Sequence, residues 1–424
     1  MSQFENNSSS LHKLNLLDPH WQVVVIGAGP AGSVCAFRLA REGKKVLLVD
    51  KANFPRSKVC GSCISAQTLS SLREAGLNTI IDEHMQAVEA PTISQIQLCT
   101  ARGATRLSLA LGRALSRQSL DFALIKEAQS AGVVFLDDIS AFVQEEKEGE
   151  RESTNTSNGP RRVTLQAVGA SNISAASESI TIETDCIVVA DGINGQSLAQ
   201  LSGSEGKSFN PIIAASSRIG AGTVVDCTGA SDEGFYKPGT IYMALHQHGY
   251  VGVVMLEQNK VDLGAAFDRD FTRLCGSPKG AARKILEASG MPFIEAFDQG
   301  HWFGTAPFTR HRQTVASRRL FIIGDAASYG EPFTGEGIGW ALNSALLVVP
   351  YVLAATSKWE DSLISAWQKK HAGTIKAGQI TSLQIGSLLR HKQISTLLIE
   401  KILKNFPSLS QKFLAISTNI RSST

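Results

Sequence analysis

Three glycines, Gly27, Gly29 and Gly32, stand at the spacing of a loop that brings backbone against a pyrophosphate, within Val23-Val24-Val25-Ile26-Gly27-Ala28-Gly29-Pro30-Ala31-Gly32. Gly27 permits the tight turn, Gly29 leaves no Cβ in the way of the phosphates, and Gly32 lets a helix pack closely on the strand. Pro30 and Ala31 sit in the same loop, and Lys51 directly follows the acid of interest, Asp50. A carboxylate at that distance from the glycines hydrogen-bonds adenosine ribose hydroxyls and repels a 2′-phosphate. Alone, GxGxxG is weak, because ordinary glycine turns share it. Its context is stronger: an unbroken β-branched strand at 23–26 comes before it. A helix from about Ala31 to Arg41 follows, with Val34, Cys35, Leu39 and Ala40 apolar and Gly43 at a left-handed cap. Asp50 then ends the next strand, Lys45 to Val49. Together these describe a dinucleotide site.

The strand-to-helix turn does not distinguish FAD from NAD. A second element does. Leu320–Ile323 predicts another buried strand, followed by Gly324 and by Asp325, whose carboxylate suits a polyhydroxyl chain such as ribitol. Gly335-Glu336-Gly337-Ile338-Gly339 predicts a helix start, the helix running through Ala341, Leu342, Ala345, Leu346 and Val349 until Pro350. Free N–H groups and the positive dipole end there suit negative charge at the N1/C2 edge of a reduced flavin. Each half could be a plain turn or helix entry. In combination, a long ligand gripped at both ends is the better account, and FAD is such a ligand.

These elements, with Phe54-Pro55-Arg56-Ser57-Lys58-Val59-Cys60-Gly61, resemble FAD-dependent oxidoreductases of the geranylgeranyl-reductase type, within the p-hydroxybenzoate-hydroxylase-like superfamily. The resemblance covers residues 21 to about 350. It implies an α/β fold: a Rossmann-like, glutathione-reductase-type FAD-binding domain interrupted by an α+β substrate domain with an antiparallel sheet, plus C-terminal helices. The expected division is a disordered tail at 1–20, the FAD-binding domain at 21–85, 110–203 and 310–355, the substrate domain at 86–109 and 204–309, and a helical region at 356–424. The resemblance further implies that Asp50 binds the adenosine ribose, that Asp325 meets the ribityl-phosphate region, and that Arg117 lies near the flavin phosphates. A surface helix arginine is the alternative for Arg117.

Cys60-Gly61-Ser62-Cys63 has CxxC spacing. Neither a second CxxC nor a His pair accompanies it, so no metal site is expected. In the related reductases a Cys-Gly here lies close to the isoalloxazine, which makes Cys60 a candidate proton donor or a small residue fitted against the cofactor, with Gly61 beside it. Arg56 and Lys58 add positive charge nearby. Halogenases of the superfamily carry Gly-Glu-Ser at this point, so Cys60-Gly61-Ser62 disfavours halogenation.

Residues 240–267 alternate and turn like three antiparallel strands. The aromatic pattern that geranylgeranyl reductases place on the middle strand is replaced by Tyr250-Val251-Gly252-Val253-Val254-Met255, which puts a prenyl substrate in question. Tyr242, His246, His248 and Tyr250 are the polar groups here, and Tyr250 is the second catalytic candidate. Asp191-Gly192 follows the apolar run Cys186–Ala190 and resembles a motif that supports FAD and nicotinamide in aromatic hydroxylases. The serine and arginine usual downstream are replaced by Gly195 and Leu198, so NAD(P)H and a separate electron-donor protein both stay open as reductants.

Composition sets the outer limits. A chain of 424 residues exceeds one typical core, and its 43% hydrophobic content fits a soluble, cytoplasmic globular protein. Seven scattered cysteines suit a reducing compartment, and no signal-peptide pattern opens the chain. The polar run at 144–160 reads as a solvated loop. The net charge of +3 hides a basic end, in which Lys369, Lys370, Lys376, Arg390, Lys392, Lys401, Lys404, Lys412 and Arg421 face only Glu400 among apolar residues at near-helical spacing. Such an end lies on an anionic membrane surface or forms an ordinary helical layer. Nucleic acid is not expected, since no aromatic residues are spaced through a basic groove.

The expected chemistry is hydride transfer between N5 of FAD and a carbon–carbon bond of an apolar, isoprenoid- or polyketide-like molecule. The alternatives are an NAD(P)H-dependent aromatic monooxygenase and a non-catalytic escort of prenylated GTPases. Intact glycines at both ends of the dinucleotide site argue against the escort.

Overall fold

The structure is a computed structural model, which describes residues 14–146, 159–168, 179–201, 209–227, 234–331, 333, 335–376 and 379. Apolar runs with no polar interruption make its parallel sheet. Val23–Val25, Val46–Val49, Ile187–Val189 and Leu320–Ile322 are all fully buried, as strands covered on both faces must be. From edge to edge the strands run Ala316–Ser317, Leu320–Ile322, Ser179–Val189, His20–Ile26, Val46–Val49 and Val134–Leu136. His20–Ile26 lies parallel to both of its neighbours, with Val25 opposite Leu48 on one side and Val188 on the other. The first half of Ser179–Val189 also pairs antiparallel with Arg161–Ala167, which in turn pairs with Ile139–Val143. Helix Pro30–Arg41 packs against helices Arg117–Ser130 and Gly337–Ser357.

A second sheet of eight strands is antiparallel apart from one pairing. Its centre is the expected meander, observed as Thr240–His246, Gly249–Met255 and Lys260–Phe267. Thr240–His246 lies parallel to Thr92–Thr100, and that strand pairs antiparallel with Gly103–Ala114. Helix Pro278–Ala288 covers one face, burying Ala281, Ala282, Ile285 and Leu286. The other face looks toward the glycine elements. The segment Cys63–Ile64 is itself the edge strand of this sheet, paired with Arg113 and Ala114.

Three expectations change in the structure. Gly103–Ala114 runs straight through the division expected at 109/110, because its pairing with Thr92–Thr100 continues to Arg113 opposite Thr92. The tail ends earlier than residue 20: Leu14 is buried in the main core, and Asp18 pairs with Lys45 at 2.6 Å. The helix beginning at Gly337 does not stop at Pro350 but continues to Ser357. Pro350 sits on the exposed side, where the carbonyl that loses its amide partner can turn to water. The expected C-terminal region is described only through 376 and at 379, including helix Ser362–His371, so most of the basic end lies outside the described residues, as does most of the 144–160 run.

Candidate functional site

The glycine loop is fixed by backbone fit. Gly27 has φ +105°, and a Cβ there would stand 2.4 Å from the carbonyl oxygen of Ala190. A Cβ on Gly32 would stand 1.8 Å from the Gly27 oxygen, so helix and turn touch directly. Gly29 differs. Its Cβ would meet only the guanidinium nitrogens of Arg56 and Arg117, at 3.8 and 3.9 Å. That leaves an open position flanked by two cations at the start of a helix whose N-cap has no side-chain partner, which is the setting a pyrophosphate requires.

Asp50 holds this loop from below. Its carboxylate accepts from the amide of Ala28 at 2.7 Å and of Ala52 at 2.9 Å, while Arg56 approaches to 3.9 Å. Arg117, expected as either a phosphate-side or a surface arginine, is buried at the first turn of its helix. It forms a fork to Asp121 at 2.8 and 2.7 Å, the i,i+4 spacing that the sequence displayed without attracting notice. Arg56 shares Asp121 at 3.5 Å, and its Nε has no protein partner although buried.

The two glycine elements meet. Gly324 adopts φ +59°, and a Cβ on it would lie 2.8 Å from the Ala31 side chain. Pro30 and Asp325 consequently line one and the same cavity of about 750 Å³, together with Gly335, Gly337 and Ile338. Burial raises the Asp325 carboxyl above its ordinary value, opposed by the charges of Lys58 and Arg117, and Lys58 stands 3.9 Å away. Burial lowers the Lys58 ammonium in turn, with Arg117 adding to the effect.

Cys60 and Gly61 line the cavity too. Burial pushes the Cys60 thiol up, against the charge of Arg117, so the group is a protonated thiol and a poor nucleophile at neutral pH. Ser62, at φ +48°, hydrogen-bonds the carboxylate of Asp262 across from the second sheet. Burial raises Asp262 to about 7, the same direction in which nearby Glu257 pushes it. Nothing in the sequence marked Asp262, an acid inside an otherwise apolar strand, as the anchor of the Cys60–Cys63 segment.

Beyond the cysteine segment the cavity is apolar, walled by Ile93, Ile96, Leu98, Leu109, Met243 and Phe308. Tyr250 joins this wall, its ring edge against Phe333 and the Arg218 guanidinium over its face at 5.6 Å. Burial takes its phenol well above the ordinary value, with Glu331 adding to the effect. The other polar candidates of the meander point elsewhere. Tyr242 is one residue out of phase with cavity-lining Met243, and it packs with Phe235 and Tyr236 on the opposite face. His248 stacks on Phe271 and approaches Asp268 at 3.6 Å, with His246 beside it. Asp191 does not face the cavity either. Its carboxylate turns into its own loop, accepting from the amide of Ser197 at 3.0 Å, and its Cα would lie 2.8 Å from a Cβ on Gly27. Exposed Lys51 contributes charge toward it.

The residues present fit FAD. One end offers an open glycine position with two arginines and Asp50, the other a helix start and Asp325, and a single cavity joins them. Comparison with known proteins agrees. Residues 20–370 match the family model described as FAD binding domain. A menaquinone reductase of Mycobacterium tuberculosis is 41% identical over 70 residues, which span 16% of this chain and 17% of the relative, so the first relatives are matched over a small part of their length. A digeranylgeranylglycerophospholipid reductase of Methanothrix thermoacetophila is 25% identical over 354 residues, 82% of each chain. Among solved structures, a flavoprotein/dehydrogenase from Cytophaga hutchinsonii superposes with a TM-score of 0.73 at 16% identity, covering 94% of this chain and 92% of the other. A flavin-dependent brominase does so with 0.70 at 17%, covering 94% and 93%. At such identities the structural likeness speaks to the fold alone.

Proposed function

The chain belongs to the FAD binding domain family, and on that premise we propose that it is an FAD-dependent oxidoreductase acting on a carbon–carbon bond of an apolar, isoprenoid- or polyketide-like molecule. When bound, FAD supplies the hydride chemistry at its N5. The residues that would hold it are Gly27 to Gly32, Asp50, Arg56 and Arg117 at one end, and Gly324, Asp325 and Gly335 to Ile338 at the other. The observation that carries the reading is the continuity of the cavity: it begins at Pro30 and Asp325 and ends in a wall of isoleucine, leucine and methionine.

That wall is mainly apolar, and an apolar chain gains about 25 cal/mol for each Å² it buries there. The positive end of helix Gly337–Ser357, together with Lys58 and Arg117, favours negative charge at the polar end. Reducing equivalents come from NAD(P)H or from an electron-donor protein. The resemblance to brominases is set against Cys60-Gly61-Ser62, which departs from the halogenase pattern.

Rapid mixing of reduced, FAD-loaded protein with apolar enones and isoprenoids on one side, and with dioxygen on the other, tests the proposal. Reoxidation by the unsaturated compound with a saturated product is expected. Reoxidation by dioxygen only, with a hydroxylated product, overturns it in favour of a monooxygenase.

A further inference from the structure

Helix Gly337–Ser357 is apolar enough to cross a membrane by length and composition, yet most of it is buried inside the protein. Along this apolar helix one line of polar side chains breaks the pattern. Glu336, at its N-cap, Trp340 and Asn343 recur at i, i+4 and i+7, which places them on one face. Opposite them stands helix Ala66–Glu74 with its cap. The Ser65 hydroxyl donates to Glu336 Oε2 at 3.2 Å, and the Ser71 hydroxyl to Asn343 Oδ1 at 3.3 Å. Three atoms of this seam are buried without a protein partner: Glu336 Oε1, Trp340 Nε1 and Asn343 Nδ2. Orphaned buried polar atoms are rare, and three on one helix face at successive turns are not accidental packing. They form a polar seam along the helix that ends at Glu336, with donors and an acceptor that bridging water would satisfy.

Glu336 is 1% exposed to solvent and lines the large cavity, next to Ser65 and Gln67. From this geometry we infer that Glu336 is the proton-donating residue of the cavity, and that the seam through Trp340 and Asn343 re-supplies its proton. This rests on the reaction proposed above. The hydride brings two electrons to one carbon of the double bond. The O–H bond of the Glu336 carboxyl breaks as a C–H bond forms on the neighbouring carbon, which leaves a saturated bond and a carboxylate. Solvent returns the proton along the seam, and the hydride is replenished by a two-electron donor of the nicotinamide class or by an electron-donor protein.

The protonation state suits the task. Burial raises the Glu336 carboxyl to about 7, against the lowering effect of the Ser65 hydroxyl. An acid poised near the working pH is the efficient donor. The other ionisable groups that line the cavity are Lys58, Arg117, Asp325, Cys60, Cys63, Tyr250 and Tyr329. Of these, both thiols and both phenols are pushed upward by burial, away from neutrality.

The test uses FAD-loaded protein and two readouts. Infrared titration needs no substrate and is read in an Asp262→Asn background, because Asp262 is also held near 7: there a carboxylic-acid carbonyl band, present at neutral pH and lost with a midpoint near 7, is expected to vanish on adding Glu336→Gln and to titrate at higher pH on adding Ser65→Ala. A band that survives Glu336→Gln in that background, or a Glu336 band already lost at roughly pH 5, overturns the inference. In single turnover, Glu336→Gln, a near-isosteric change, is expected to slow formation of saturated product by about 100-fold or more, the usual contribution of a general acid. A loss under about threefold overturns the proton-donor role. Should wild-type protein itself reduce no double bond while the infrared band behaves as stated, the substrate reading fails and the assignment of the proton to Glu336 survives.

Discussion

The two ends of the cavity are built by opposite rules. Around Gly27–Gly32 the backbone leaves no tolerance, and the charges are paired: Ala190 and Gly27 carbonyls press on glycines, while Arg117, Arg56 and Asp50 interlock through Asp121 and the Ala28 amide. Around Met243 and Val254 the wall is made of side chains that can exchange with one another, and its polar atoms are few and partly unpaired. A cofactor common to many proteins needs the first kind of site, whose shape is set by backbone. A substrate particular to one protein needs the second, whose shape is set by side chains a few substitutions can change.

The strongest way to break this contrast is to place a methyl group on two glycines of the same loop. Gly32→Ala would drive its Cβ to 1.8 Å from the Gly27 oxygen, a collision with backbone that nothing nearby can relieve. The expected outcome is little or no folded, yellow protein. Gly29→Ala meets only two guanidinium groups at ordinary distances, so folded protein is expected, with flavin affinity reduced by about tenfold or more, some 1.4 kcal/mol. Far-ultraviolet circular dichroism and flavin titration separate the two effects. Equal behaviour of the two variants would mean that backbone fit and ligand space are not divided between these positions.

Next in size is the charge cluster. Asp121 is fully buried and accepts both contacts from Arg117 while Arg56 lies 3.5 Å away. Asp121→Ala would leave two cations facing each other across a desolvated gap. Breaking a buried pair in this way costs about 3 to 5 kcal/mol. Urea unfolding of the flavin-free protein should show a loss of that order. A loss below about 1 kcal/mol would place the cluster among exposed ion pairs, which contribute little.

What was legible in the sequence follows the same division. Gly27, Gly29, Gly32 and Asp50 were readable because strand, turn and acid are close in the chain, and because only glycine satisfies the backbone there. Gly324 and Asp325 were readable for the same local reason, and their meeting with Ala31 was inferred from a ligand long enough to need both. Tyr242, His246 and His248 were left undecided because type alone does not reveal which face of a strand looks inward; for Tyr242 and His246 the alternation with Met243 does, and His248 lies in the turn. Pro350 was read as a stop because the rule for proline concerns local backbone, whereas an exposed position on a helix buried along its other face tolerates the lost bond. Glu336 lay inside the motif that was singled out, but its flanking glycines drew the reading toward amides. What makes it chemically distinctive is burial beside Ser65, a residue 271 positions away in the chain.

The gentlest test concerns a glycine on the other side of the cavity. Gly252 lies on the middle strand of the second sheet and also lines the cavity, but a Cβ there would meet Met243 Cε at 3.5 Å and the Gly264 oxygen at 3.6 Å, both ordinary contacts. Its backbone is not in the left-handed region, unlike that of Gly27. Gly252→Ala is therefore expected to keep stability within about 1 kcal/mol of wild type, with the gain in strand propensity offsetting the small loss of space. The added methyl narrows the apolar wall, so the effect should fall on KM for the bulkier of two homologous substrates, by a few fold, and leave kcat nearly unchanged. Steady-state kinetics with a short and a long chain of the same chemical class would show it. A collapse as severe as that expected of Gly32→Ala would mean that the substrate wall is as rigidly determined by its backbone as the pyrophosphate loop, and that a single rule governs both ends of the cavity.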